Sequence, residues 1–209
     1  MDSKKKRISD GISLPLVEEF YTLQGEGYHT GKAAYFIRLG GCDIGCSFCD
    51  SRFSWNPRLH PLVDTDTIIE NVVKSGTDSV VITGGEPLMY NLDYLCAGLK
   101  KMNIQIFIET SGAYPLSGEL DWICLSPKKN MPPLEENFHS ANELKVIILD
   151  KKDFEWAEIN RAKVKSNCVL YLQPEWSRFE TIIPDIVEYV KKNNIWRISL
   201  QVHKYMHIP

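Results

Sequence analysis

Residues 40–56 read GGCDIGCSFCDSRFSWN, and three cysteines, Cys42, Cys46 and Cys49, fall within eight positions of one another. The residues between them are Asp, Ile, Gly, Ser and Phe, the composition of a loop and not of a core face. Buried cysteines acting as small hydrophobes do not suit that setting. A structural zinc site wants four ligands, usually as two separated pairs. The other cysteines offer no pair: Cys96 lies in a helical pattern, and Cys124 and Cys168 lie in apolar strand patterns. His60 is a candidate fourth ligand, but nothing around it singles it out. The third reading is an iron–sulfur cluster. Four irons held by three thiolates leave one iron open to a ligand that is not protein, and thiolates suit such ligation.

The rest of the chain bounds the function classes. It has 209 residues, 44% hydrophobic and 24% charged, enough for one domain with a sizeable core. A net charge of -3 speaks against a protein whose main task is gripping a nucleic-acid backbone, so no nucleic-acid partner is expected. No apolar run is long enough to span a membrane. The start, MDSKKKRISDGISLP, is basic but lacks the apolar stretch of a secretory signal. KKKR at 4–7 reads as a solvated, frayed end in preference to a nuclear address. Residues 1–15 are therefore expected as a flexible tail and 16–209 as a single domain. Six cysteines in a chain of this size suit a reducing compartment, and a cytoplasmic location is expected.

Apolar, β-branched or aromatic runs at 33–39, 79–83, 104–108, 121–125, 144–149, 168–172 and 196–202 predict strands. Helical spacing falls between several of them, at 65–75, 90–102, 153–165 and 179–193. Asp64 or Thr65 is placed to cap the first helix. Pro184 is expected in the first turn of the last helix or at a kink. Strands alternating with helices predict an α/β fold with a mainly parallel sheet. A complete eight-unit barrel takes roughly 250 residues, so an incomplete, open TIM-type barrel fits this length. Polar and glycine-rich stretches follow the strand ends: Thr83-Gly84-Gly85-Glu86-Pro87, Glu109-Thr110-Ser111-Gly112, Ser126-Pro127-Lys128-Lys129, Gln173-Pro174-Glu175 and His203. Ligands of parallel α/β folds bind at those ends. One polar rim is thus predicted, and the cysteine loop after the first strand belongs to it.

The spacing C-x3-C-x2-C, with Phe48 before the last cysteine, resembles the signature of the radical S-adenosylmethionine (SAM) superfamily. Thr83-Gly84-Gly85-Glu86-Pro87 resembles its second motif, in the right order and setting. The resemblance implies a 4Fe–4S cluster on Cys42, Cys46 and Cys49 whose open iron takes the amino and carboxylate groups of SAM. Gly84 and Gly85 would let backbone approach the SAM amino group, since no side chain blocks it. The stretch 19–27 (EFYTLQGEG), residues 38–42 (RLGGC) and Gln201-Val202-His203-Lys204 are similar to the 7-carboxy-7-deazaguanine synthases over about residues 16–209. Those are carbon–nitrogen lyases that convert 6-carboxy-5,6,7,8-tetrahydropterin to 7-carboxy-7-deazaguanine with loss of ammonia, on the route to queuosine and tRNA modification.

That resemblance assigns SAM to Phe48, Cys49, Asp50, Gly85, Ser126, Pro127, Lys128, Gln173, Pro174, Glu175 and Trp176; Glu109 and Ser111 on the rim join them as further hydrogen-bonding groups. It assigns the substrate to Leu23, Gln24, Gly25, Glu26, Arg38, Thr83, His203 and Pro209, the last residue. The chemistry of a pterin agrees: its carboxylate suits the planar cation of Arg38. Its aminopyrimidinone edge suits Gln24, Glu26 and backbone groups at 23–25. The family implies a magnesium ion on a hydroxyl two residues after the last cysteine. Threonine is usual there; this chain has Ser51, which keeps the oxygen and loses the stiffening methyl. The acidic-aromatic pair Glu175-Trp176 has no explanation in the family pattern. No catalytic side chain is implied beyond the cofactor-derived radical, which takes a hydrogen from the pterin and returns it so that SAM is regenerated. An external electron donor of the flavodoxin or ferredoxin type and a homodimer are expected, with no membrane partner.

Two other readings compete. A glycyl-radical activating enzyme is also small and uses one cluster with SAM, but it has no need of QGEG, Arg38 and the His203 terminus together. A zinc-stabilised RNA-binding or adaptor module predicts a basic face, against the acidic balance.

Overall fold

A computed structural model describes residues 3–209 of the chain. In order, the elements are α1 (Ser3–Ser9), β1 (Ser13–Leu23), β2 (Ala33–Leu39), β3 (Leu62–Asp64), α2 (Thr65–Ser75), β4 (Ser79–Gly84), α3 (Asp93–Lys101), β5 (Gln105–Thr110), β6 (Trp122–Leu125), α4 (Glu135–Phe138), β7 (Glu143–Ile148), α5 (Asp153–Arg161), β8 (Val169–Pro174), α6 (Phe179–Lys192), β9 (Trp196–Ile198) and α7 (Val202–Met206). The strands form one sheet in the order β3-β1-β2-β4-β5-β6-β7-β8-β9. β1 is antiparallel to both of its neighbours, and every pair from β2 to β9 is parallel. The two end strands do not pair, so this is the expected α/β incomplete barrel of mainly parallel strands.

Side chains alternate across each strand, and the two faces have different fates. Tyr35, Ile37 and Leu39 of β2, Val80 and Ile82 of β4, and Ile106 and Ile108 of β5 face outward, into a core shared with Ile68, Ile69 and Val72 of α2 and Leu95 and Leu99 of α3. Leu144, Val146, Ile148, Leu170 and Leu172 form a second core with Ala157 of α5 and Ile182 and Ile186 of α6. Each fully buried aliphatic side chain contributes roughly 1.5–3 kcal/mol by leaving water. The inward positions run from apolar to polar along each strand: Ala34, Phe36 and Arg38 on β2; Val81 and Thr83 on β4; Phe107 and Glu109 on β5. Polar ends therefore gather at one mouth of the barrel.

Helix α2 begins where Asp64 accepts a hydrogen bond from the Asp66 N–H, so Asp64 and not Thr65 is the cap. The helix stops at Gly76, whose φ of 72° lies in the left-handed region that glycine enters freely. Pro184 sits inside α6 at its sixth residue, beyond the first turn. It is exposed, as is Glu180, so the carbonyl left without an N–H partner can bond water.

Several sequence expectations change. β1 was not foreseen, because Pro15 and the adjacent Glu18 and Glu19 hide its alternation and its register with β2 shifts between Leu16 and Glu18. The cysteine loop consequently follows the second strand. The stretch expected as a tail up to residue 15 is ordered from residue 3: α1 is formed there, and Arg7 pairs with Asp64 and bonds Ser13 Oγ. Leu14 is fully buried, so the barrel starts before residue 16; residues 1–2 of that tail lie outside the described residues. β9 ends at Ile198 and not at 202. Ser199 there turns inward to donate to Gln173, and α7 begins with the Val202 N–H on the Gly25 carbonyl. Gln173 and Pro174 belong to β8 itself.

Candidate active site

The mouth of the barrel encloses a cavity of about 300 Å3. Every residue assigned to the cluster, magnesium, SAM or the substrate lines it except Pro127, which lies between the lining residues Ser126 and Lys128.

The cysteine loop is held in place by backbone and side-chain bonds. Gly41 N–H donates to Ser54, Cys42 N–H to Trp55 and Cys49 N–H to the Cys46 carbonyl. Asn130 donates to the carbonyls of Ile44 and Gly45, at 3.2 and 3.0 Å. The three cysteines are half-buried and free. Burial pushes the thiols of Cys42 and Cys46 up, and the Lys128 ammonium pulls against that at Cys46. Trp55 Nε1 donates to Cys49 Sγ at 3.3 Å, a partner that the sequence did not single out. Cys96, Cys124 and Cys168 are buried, as expected. His60 Nε2 lies 2.9 Å from the Phe53 carbonyl and does not line the cavity. Among the described residues no three His, Cys, Asp or Glu side chains are arranged around a single ion. Three thiolates that each hold a different iron need no such convergence.

The glycine turn after β4 packs directly on this loop. A Cβ on Gly84 would lie 2.1 Å from the Leu39 carbonyl oxygen, and one on Gly85 would lie 2.3 Å from that of Gly41. Gly84 also has φ +145°. The glycines thus allow two backbone segments to touch, with Gly85 N–H on Leu39 and Glu86 N–H on Gly41. Glu86, 1% exposed, accepts from Leu88 N–H, Thr110 Oγ1 and both the N–H and hydroxyl of Ser111. It ties the turn after β4 to the turn after β5. Ser111 is already engaged there.

Opposite the cysteines, the loop 24–31 lies against the inward positions of β5, β6 and β7. Lys145 of β7 is buried and donates to Glu26 Oε2 at 2.6 Å and to Glu109 Oε2 at 2.8 Å. Gln24 Nε2 donates to the other oxygen of Glu109 at 3.2 Å. Burial acts to raise the Glu26 carboxyl, but the Lys145 charge and hydrogen bonds from Lys145, Gln201 and Gln173 outweigh it and bring the pKa down to about 2. Burial likewise opposes the Lys145 ammonium, and the acidic groups around it hold its pKa well above the usual lysine value. Neither Lys145 nor its role was foreseen. The signal was present: a lone Lys at an alternating position in the apolar run ELKVIIL.

Arg38 also lines the cavity, but it has a partner of its own: Nε donates to Glu18 Oε1 at 2.7 Å across the β1–β2 pair. His203 packs on Gly25 so closely that a Cβ there would lie 2.2 Å from Nδ1. Burial lowers the His203 pKa, against the pull of the Glu26 and Asp50 carboxylates. Gln201 Nε2 bridges Glu26 at 2.8 Å and Asp50 at 3.3 Å, joining the loop 24–31 to the cysteine loop. Lys128 is turned onto the carbonyl and hydroxyl of Ser126, both at 2.6 Å.

The unexplained pair Glu175-Trp176 has a local reason. Glu175 accepts from the Ser177 N–H and hydroxyl, capping the short turn after β8. Trp176 meets Tyr205 of α7 edge-on at 5.4 Å, and the Lys204 ammonium lies 4.8 Å from its ring centroid. Lys204 also pairs with Asp50 at 3.2 Å. Together these contacts fasten the last eight or so residues over the mouth, where Pro209 lines the cavity.

Residues 36–156 match the model of the radical SAM superfamily. The 7-carboxy-7-deazaguanine synthase of Flavobacterium psychrophilum is 56% identical, over 97% of this chain and 96% of that one. The synthase of the same name from Synechocystis sp. is 45% identical over 94% of both. The crystal structure of QueE from Escherichia coli superposes with a TM-score of 0.84 at 30% identity, covering 97% of this chain and all of that one. The chain belongs to the radical SAM superfamily and, within it, to the family of the 7-carboxy-7-deazaguanine synthases.

Proposed function

We propose that the chain converts 6-carboxy-5,6,7,8-tetrahydropterin to 7-carboxy-7-deazaguanine with loss of ammonia, a carbon–nitrogen lyase step on the route to queuosine. One observation carries the reading: a single cavity is lined both by the three loop cysteines with Gly85 and by Gln24, Glu26, Arg38 and His203. Family membership implies a 4Fe–4S cluster and SAM. The residues present fit both, with three free, half-buried thiols on one braced loop and the Gly84 and Gly85 turn against it. When bound, these groups supply a 5′-deoxyadenosyl radical for hydrogen abstraction.

The remaining roles belong to the chain. Cys42, Cys46 and Cys49 hold the cluster, and Trp55 donates to the Cys49 sulfur. The SAM side is formed by Phe48, Asp50, Gly85, Ser126, Lys128, Gln173, Pro174, Glu175 and Trp176. Glu109 and Ser111 support it through Lys145 and Glu86. Arg38 offers its terminal nitrogens to the pterin carboxylate while Glu18 fixes Nε. Gln24, Glu26, Thr83 and His203 surround the ring, and the strap ending at Pro209 excludes water. Ser51 lines the cavity and is the hydroxyl that would take a magnesium ion, with substrate oxygens and water completing its shell. A single domain, a cytoplasmic homodimer and a flavodoxin- or ferredoxin-type donor complete the reading. Among the described residues no helix is long and apolar enough to cross a membrane.

The test is anaerobic. The cluster is reconstituted, and SAM, dithionite, magnesium and the pterin are added. Deazaguanine product without matching SAM consumption is the expected result. Deoxyadenosine without deazaguanine would overturn the substrate and favour a glycyl-radical activase.

A further inference from the structure

Below the Lys145 network lies a carboxyl that the proposed chemistry leaves unused. Glu143 is the inward residue of β7 two positions before Lys145, and it is 2% exposed. Its Oε2 accepts from the Tyr28 N–H and from Trp122 Nε1, both at 3.1 Å. Its Oε1 is buried and finds no partner among the described residues. A Cβ on Gly27 would lie 2.0 Å from that oxygen, so the loop reaches Glu143 only because residue 27 has no side chain. Gly27 has φ +65°, and its N–H donates to Ser199 Oγ at 2.9 Å. Next to this contact, Tyr28 stacks on Trp122 at 4.5 Å and His29 on Phe107 at 4.2 Å.

We propose that Glu143 is a positioning residue for the substrate loop: through Tyr28 and Trp122 it seats residues 25–28 on the barrel floor, and so sets where Glu26 meets the pterin. This rests on the function proposed above. Glu26 is flanked by two glycines that touch fixed groups, Gly25 against His203 and Gly27 against Glu143. Its carboxylate is therefore located from both sides before any ligand arrives. The charge state follows from the neighbours. The Lys145 ammonium bonds Glu26 and Glu109, and among the described residues no cation pairs with Glu143. A buried carboxylate without a paired cation is costly, which favours the neutral, accepting form of Glu143. Burial raises its pKa in that direction, while the nearby Lys145 ammonium acts against it.

The experiment uses the reconstituted, SAM-loaded enzyme. It reads equilibrium binding of the pterin without reductant, then turnover. Glu143→Gln keeps size, neutrality and an acceptor oxygen, and should match the parent in both. Glu143→Ala should weaken pterin binding and raise its KM about tenfold, the value of one to two lost hydrogen bonds. Its iron content, SAM affinity and kcat should stay as in the parent. Trp122→Phe, which removes the Nε1 donor and trims the ring stacked on Tyr28, should weaken binding by a smaller factor and covers the case in which the alanine variant does not fold. Unchanged pterin binding in Glu143→Ala or Trp122→Phe overturns the proposal. So does a glutamine variant as impaired as the alanine one. If the parent itself neither binds nor converts the pterin, the proposed function fails instead.

Discussion

Lys145 and Glu26 form an ion pair of 2.6 Å inside the barrel, with the lysine side chain 4% exposed. One partner sits in the middle of β7 and the other on the loop after β1. The second bond of Lys145, to Glu109, brings in β5. Removing the ammonium leaves two shielded carboxylates facing each other. Lys145→Ala should therefore lose about 3 kcal/mol of stability, the usual cost of orphaning a buried charge. Urea unfolding measures this, and a midpoint equal to the parent's would contradict it.

The same pair sets a pH dependence. The Glu26 pKa is held at about 2 in the folded chain, below its ordinary 4.5. A depressed carboxyl contributes stability that is present above 4.5 and lost as pH falls through about 2. Acid titration of unfolding should show that loss in the parent. Glu26→Gln should lack this component, giving a shallower slope over the same interval.

Gly25→Ala tests the docking of α7. The new methyl would meet His203 Nδ1 at 2.2 Å and Cβ at 2.7 Å, so the ring and its helix must move. Overpacking of this kind costs typically about 1–3 kcal/mol. The pterin KM should rise by a larger factor than that of SAM, because His203 stands on the substrate side and α7 meets the SAM side through Asp50 and Trp176. An equal loss of both affinities would count against this division of the cavity.

Single alanine variants of Cys42, Cys46 or Cys49 should purify anaerobically with little iron and no brown colour. Cys96→Ala and Cys168→Ala, both in the cores, should keep the full iron content. Iron analysis decides this directly, and loss of iron from a core variant that remains folded would reassign the ligands.

Ser51→Thr should lower the magnesium concentration needed for half-maximal rate. The hydroxyl stays, and the added methyl limits χ1, so less freedom is lost on binding. At present the Ser51 hydroxyl turns to Asp50 Oδ1 at 3.2 Å. Ser51→Ala should raise the requirement. Identical magnesium curves for all three proteins would remove residue 51 from the metal site.

Much of the architecture was written locally. The seven expected strands all form, because β-branched and aromatic runs carry their own signal, and the helix at 65–75 is found at those bounds with its Asp64 cap and Gly76 stop. The motif residues from Cys42 to His203 meet in one cavity because each sits at a strand end or in the loop after it, and parallel strands bring those ends together. β1 was hidden because Pro15 and two glutamates break its pattern, and α7 because a short apolar run reads as strand until Ser199 is seen to turn inward.

The sequence alone determined the cysteine triad, the glycine turn, the alternation and hence the family chemistry, since these depend on neighbours a few residues apart. Only the tertiary structure decided that Lys145 is the cation shared by Glu26 and Glu109, and that Gln201 and Lys204 tie the C-terminal strap to Asp50. It also showed that Glu143 touches Gly27. Which face of a strand looks inward, and which loop lies across it, is set by the order of strands in the sheet. Residues more than a hundred positions apart become partners only when the barrel forms, and burial then fixes which of them carry charge.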